Sequence, residues 1–211
     1  MDPLLERVDH LVFATSDLES TVADVERRLG VRPAPGGRHL DRGTRNALLA
    51  LGPRCYLEIL GPDPEQEAPP APRWFGIDAL PSPRLVAWAA NTADLEQVTA
   101  GGARSGVGFG PIASGHRTRA DGVTLRWRFT DPTTLLDDGL IPFFIEWGSS
   151  PHPASSAPAG GELVALVAEH PDPRRVRDNL VALGLDLDVT RGPRPALIAT
   201  IRTATSTVEI R

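Results

Sequence analysis

One pattern recurs three times in this 211-residue chain: an apolar strand-like run, a polar turn with an aspartate, and a short amphipathic segment. The marker residues Asp17, Asp94 and Asp172 lie 77 and 78 residues apart. A near-constant period of this kind implies repeated supersecondary units that bury their apolar faces against one another. Each repeat also closes on a β-rich run holding a glutamate among apolar neighbours: Glu58 in YLEIL, Glu146 in FIEW and Glu209 in VEI. The pattern predicts three β-α-β-β-β modules, at residues 1–62, 84–148 and, in shorter form, 162–211. The Pro-rich acidic stretch 63–83 reads as a connection and 149–161 as a flexible linker.

The first module is the most explicit. Val8, His10, Val12 and Ala14 share one strand face, and Asp9, Leu11 and Phe13 share the other. Ser16 is the expected helix cap, completed by Glu19 as a capping box. Leu18, Val22, Val25 and Leu29 line one helix face, and Gly30 supplies the left-handed stop. His10 is thus a lone ligating side chain in an apolar strand. Tyr56, Glu58 and Leu60 share a face in the module's last strand. In the second module, Ala87 falls where His10 would repeat, with Trp88 beside it. Asp121-Gly122 is a turn pair between two strands of that module.

Bland readings stand beside the functional ones. A lone strand histidine is commonly a hydrogen-bonded core residue. Glu58 could pair with Arg45 or Arg54 at a sheet edge. Glu146 sits between apolar neighbours and must find a partner. Tyr56, Trp88, Trp127 and Phe144 are core aromatics, of which a minority would line a ligand pocket.

Composition narrows the function classes. The net charge of −5, without a basic stripe, argues against nucleic acid as a partner. All 22 basic residues are arginine, which removes Schiff-base lysine chemistry. A single cysteine, Cys55, excludes an internal disulfide framework. No apolar run reaches the ~20 residues of a membrane helix, and no secretory leader is visible. A cytoplasmic setting is the expectation.

The stretches VDHLVFATSDLE, GGRHLDRGTRNALLALG, YLEILGPDP and FFIEWGSSPHP together resemble the vicinal oxygen chelate superfamily, and within it the glyoxalase-like domain proteins. The resemblance implies an α+β fold in which repeated βαβββ modules form a curved mixed β-sheet cup with helices outside. It implies that a module's first and last strands are neighbours, which would bring His10 to Glu58. It also implies a small-molecule ligand or substrate, and a divalent metal (Zn, Fe, Mn or Ni) held by His10, Glu58 and Glu146. Glu58 and Glu146 would then serve as ligand or general base of a lyase, isomerase or dioxygenase. His39, Tyr56, Trp88, Trp127 and Phe144 are the candidate pocket residues. The alternative is a metal-free binding or sequestering protein of the bleomycin-resistance type, favoured by Ala87 and Trp88. Three modules in a fold that pairs them predict that the odd one packs on the others or joins a homodimer.

Overall fold

The three marker aspartates cap three helices, α1 (Leu18–Leu29), α2 (Leu95–Arg104) and α3 (Pro173–Ala182). Their carboxylates accept from the backbone N–H of Ser20 at 3.1 Å, Gln97 at 2.8 Å and Arg175 at 3.3 Å. Ser16 is therefore not the cap. The Thr15 hydroxyl accepts from the Asp17 N–H at 3.0 Å and from the Thr21 hydroxyl at 2.8 Å. Those bonds turn the chain one residue later than the capping-box reading expects. Gly30 ends α1 at φ 79°, as its position predicts. The structure, a computed structural model, describes residues 3–118 and 122–211; the expected turn residue Asp121 lies outside them.

Two modules make one sheet. The first supplies β1 (Val8–Ala14), β2 (Ala34–His39), β3 (Thr44–Ala50) and β4 (Tyr56–Pro62). The second supplies β5 (Arg84–Asn91), β6 (Ile112–Thr118), β7 (Thr124–Thr130) and β8 (Phe143–Glu146). The strand order is β2-β3-β4-β1-β5-β8-β7-β6, so β1 joins β5 antiparallel at the centre. Within each half, first and last strands are parallel neighbours. The sheet curls until its edges approach: an Arg117 guanidinium on β6 donates to the carbonyl of Gly36 on β2. A Cβ at Gly36 would stand 2.3 Å from the Asn46 side chain, and one at Gly37 would stand 3.0 Å from Arg117. The paired glycines thus permit this near-closure.

The third module repeats the element order but not the pairing. Strands β9 (Glu162–His170), β10 (Asp188–Arg191), β11 (Ala196–Arg202) and β12 (Thr207–Ile210) form a separate sheet ordered β10-β9-β11-β12. The first strand β9 neighbours β10 and β11, not the last strand, so Glu209 ends on an exposed edge. This sheet packs onto the large one. Leu166, Leu197 and Ile201 share one hydrophobic cluster with Leu11, Leu57 and Trp88. A homodimer is not needed to cover the third module, which docks on its own chain.

The two connections are structured caps. Residues 149–161 were expected to be a flexible linker, yet they run beside β3. The Ala50 N–H donates to Pro158 O at 2.8 Å, and Gly160 N–H donates back to Ala50 O at 2.9 Å. Pro153 and Ala154 are buried. Upstream, the 3-10 segment Trp74–Ala79 packs Phe75 and Ile77 under Val12, Leu60 and Ala87. The cup is thus stoppered at both ends by connecting chain.

Replacing Asp17, Asp94 or Asp172 by Ala is expected to cost about 1 kcal/mol each in urea denaturation, because each removes one satisfied helix-terminal donor. Losses below about 0.3 kcal/mol at all three would show the caps to be idle.

Candidate functional site

The centre of the cup is set by a bulge in β1. Val8 pairs with Ala90 and His10 with Ala89, so Asp9 is an extra residue in the ladder. A bulge puts two successive side chains on one side of the strand. Strict alternation assigned Asp9 to the helix side; instead it turns toward the cup with His10.

Asp9 is 1% exposed and His10 3%. The Asp9 carboxylate meets His10 Nδ1 at 2.7 Å, Trp147 Nε1 at 2.9 Å and His152 Nε2 at 3.2 Å. Burial pushes the Asp9 carboxyl up, but hydrogen bonds and charge from His10 and His152 outweigh it and hold the group at about 2. An ionised carboxylate only accepts, so His10 Nδ1 must carry the proton. That leaves Nε2 facing the cup, where Glu58 Oε2 lies 3.6 Å away. Glu58 is fixed in turn by Asn46 Nδ2 at 2.5 Å, and Asn46 accepts from the Gly37 N–H at 2.7 Å.

Aromatic rings wall this pair. Tyr56 stacks on His10 at 4.6 Å between centroids, and Phe143 meets it edge-on at 5.3 Å. Burial, with the Asp9 and Glu58 charges, raises the Tyr56 phenol well above its ordinary value, so it stays neutral. His39 binds Thr44 Oγ1 at 3.0 Å and packs edge-on against Trp74. Burial lowers the His39 pKa, opposed by the Glu58 charge and assisted by that of Arg117, so its imidazole is neutral beside Glu58. Trp127 reaches the cup through Trp147, 5.4 Å between centroids.

Three expected residues point elsewhere. Glu146 is on the helix side, where Arg128 bridges it at 3.5 Å to Glu96 of α2. Trp88 is fully buried in the core beneath the helices and donates to Leu140 O at 2.9 Å. Phe144 packs edge-on with Phe109 in the same core. The register explains the misplacement. Leu11 faces Trp88 across the β1–β5 join, Val12 pairs with Glu58, and Ala89 pairs with Phe143. Relating the two halves about that join sets His10 on Ala87 and Glu58 on Phe143, three residues before Glu146. Sequence reasoning also missed Asp9, Asn46, Trp147 and His152. The Asp9-His10 adjacency was visible, but the bulge that uses it carries no sequence signature. A further missed group is Trp74, whose indole N–H is buried and has no hydrogen-bond partner among the described residues.

The donor set falls short of the divalent site expected for His10, Glu58 and Glu146. Of the three expected ligands, His10 and Glu58 meet in the cup and Glu146 does not, while Ala87 and Phe143 occupy the matching positions of the second half. Among the described residues, no group of three or more His, Cys, Asp or Glu side chains is placed to hold a metal ion. A closed or catalytic divalent site of the zinc type takes at least three protein ligands.

A family model described as a glyoxalase-like domain matches residues 8–184. The chain belongs to the glyoxalase-like domain family. A hypothetical protein from Staphylococcus aureus is similar over 96% of this chain and 83% of its own, with 13% identity and a TM-score of 0.65, a likeness of fold. A Streptomyces coelicolor methylmalonyl-CoA epimerase variant in complex with 2-nitronate-propionyl-CoA has 21% identity over 69% of this chain and 99% of its own, at a TM-score of 0.45. Methylmalonyl-CoA epimerase from Mycobacterium tuberculosis has 19% identity over 74% and 96%, at 0.44. No curated protein matches the chain. Among the described residues of this glyoxalase-like protein, no helix is long and apolar enough to cross a membrane.

The depressed Asp9 carboxyl makes a signed prediction. Its stabilisation is fully present above the ordinary value of 3.8 and is lost as pH falls toward about 2. Asp9→Asn should cost about 2 kcal/mol at pH 7, and the gap to the native protein should close as pH falls through that window. Equal stability of the two proteins at pH 7 would contradict the buried charge.

Proposed function

We propose that this glyoxalase-like protein binds a small organic molecule in the cup without a bridging divalent metal. The carrying observation is the asymmetry of the cup. Its first half presents His10, Glu58 and Asn46, whereas its second half presents Ala87 and Phe143 at the corresponding places. A ligand that fits is polar at one end and apolar or aromatic at the other. The polar end meets His10 Nε2 and Glu58, and the apolar end lies on Tyr56, Phe143 and Trp127. The buried, unpartnered Trp74 N–H gives a nearby acceptor on the ligand a reason to bind, because an unmade buried hydrogen bond costs about 1–3 kcal/mol. Binding and sequestration need only this arrangement.

The Asp9–His10–Glu58 chain favours a second reading, an isomerase or lyase acting by proton transfer. Asp9 fixes the tautomer and angle of His10, as an oriented general base requires. Glu58, held by Asn46, is the second group able to accept or return a proton. In this reading Asp9 is a positioning residue and does not touch the ligand.

Equilibrium dialysis and metal analysis test the first proposal against the metal-dependent one. Protein dialysed against chelator should hold well under one divalent ion per chain and bind a screened hydrophobic ligand undiminished. His10→Ala or Glu58→Gln should weaken that ligand at least about tenfold, the loss of one charge-assisted hydrogen bond. A stoichiometric divalent ion whose removal abolishes binding would overturn the proposal. The proton-transfer reading requires in addition that Glu58→Gln abolish exchange of an acidic ligand C–H with deuterated solvent while leaving some binding.

A further inference from the structure

A second concavity, whose lining does not include His10 or Glu58, lies where the third module meets the large sheet. It holds about 160 Å³ and is bounded by Arg84 and Leu85 at the start of β5, by Asp138 and Leu140 in the loop before β8, and by Arg194 and Leu197 in and after the β10–β11 turn. Its lining is about half apolar and half polar, and two arginines from different modules border it. Among the described residues, neither Arg84 nor Arg194 makes a side-chain hydrogen bond or ion pair. Other arginines of the chain, such as Arg128, Arg175 and Arg202, are held in ion pairs. The nearby carboxylate, Asp138, is turned to His170 Nε2 at 3.8 Å.

The loop that forms one wall is held in a costly conformation. Asp137 and Asp138 have φ of 48° and 58°, a left-handed backbone that non-glycine residues rarely adopt. Gly139 follows at φ 88°, and a Cβ there would stand 1.9 Å from Val86 O. The third module pins this turn: Arg175 and Asn179 of α3 both hold the nearly buried Asp137 carboxylate, Asn179 at 2.9 Å. Strain of this kind persists where surrounding structure fixes it and tends to collect at ligand sites.

We propose that this inter-module cleft binds a small organic monocarboxylate with an apolar body. The carboxylate lies between the Arg84 and Arg194 guanidiniums, each of which offers paired N–H donors matched to carboxylate geometry. The body rests on Leu85, Leu140 and Leu197. The volume corresponds to roughly five waters, so the body is a chain of about four to six carbons or a single ring. Asp138 on the same wall disfavours a second negative charge and so selects against dicarboxylates. This site stands independently of the reading of the cup.

The test uses the full chain, labelled with 15N and titrated with 3-methylbutanoate, followed by amide shifts. The expected result is saturable binding with a Kd of about 1 mM or tighter, with shifts confined to the Arg84–Val86, Leu135–Leu140 and Arg194–Leu197 segments. Arg84→Ala and Arg194→Ala, both at exposed positions, should each weaken it about tenfold with the melting temperature unchanged. His10→Ala should leave it unaffected. The uncharged 3-methylbutanol and the bodiless formate should each bind at least about tenfold more weakly than 3-methylbutanoate. Absence of saturation at 20-fold above that Kd, indifference to both arginine variants, or shifts abolished by His10→Ala would each overturn the proposal.

Discussion

The interior of the cup depends on one buried anion. Asp9 gives its carboxylate to His10, Trp147 and His152 at once, from β1, from the end of β8 and from the strap that follows it. Trp147 and His152 lie 138 and 143 residues from Asp9 in the chain, so the interaction is also a closure. It ties the strap 149–161 to the central strand and fixes which imidazole nitrogen faces inward. An unpaired carboxylate in that place would carry a desolvation cost of several kcal/mol. Three donors offset it, and the result is a histidine whose orientation is set before any ligand arrives.

The arrangement divides labour between the two halves of a pseudo-symmetric sheet. The first half keeps its polar pair, His10 and Glu58. The second half has filled the corresponding positions with Ala87 and Phe143 and sent its glutamate to the helix side, where Arg128 holds it. With those apolar side chains the second half of the cup offers a hydrophobic surface opposite the polar pair. The third module, whose own strand order forms no cup, covers the outer face of the sheet and builds a separate cleft at the seam.

Much of the fold was legible because it follows from periodicity. The aspartate spacing located all three helices, and period-two alternation along β4 put Glu58 on one face with Tyr56 and Leu60. It was the family resemblance, which makes a module's first and last strands neighbours, that brought Glu58 to His10. The failures have local causes. Asp9 was assigned to the wrong face because one inserted residue reverses parity, and a bulge leaves no mark in a short apolar run. Glu146 was matched to Glu58 as the next glutamate in a similar run, whereas the ladder pairs Ala89 with Phe143 and sets the correspondence three residues earlier. Trp88 and Phe144 look like pocket aromatics in the sequence, but both occupy helix-side positions by strand parity. Residues 149–161 read as flexible because small residues and prolines are common in linkers; here the same residues let the backbone lie flat against β3.

The central claim is that the Asp9 carboxylate holds the His10 proton on Nδ1 and leaves Nε2 to the cup. Nitrogen-15 NMR of the histidine rings reads this directly. The account predicts a protonated, strongly hydrogen-bonded His10 Nδ1 in the ligand-free protein, with a downfield ring proton that disappears in Asp9→Asn. A His10 Nδ1 found without a proton, or a ring signal indifferent to the Asp9 substitution, would contradict it.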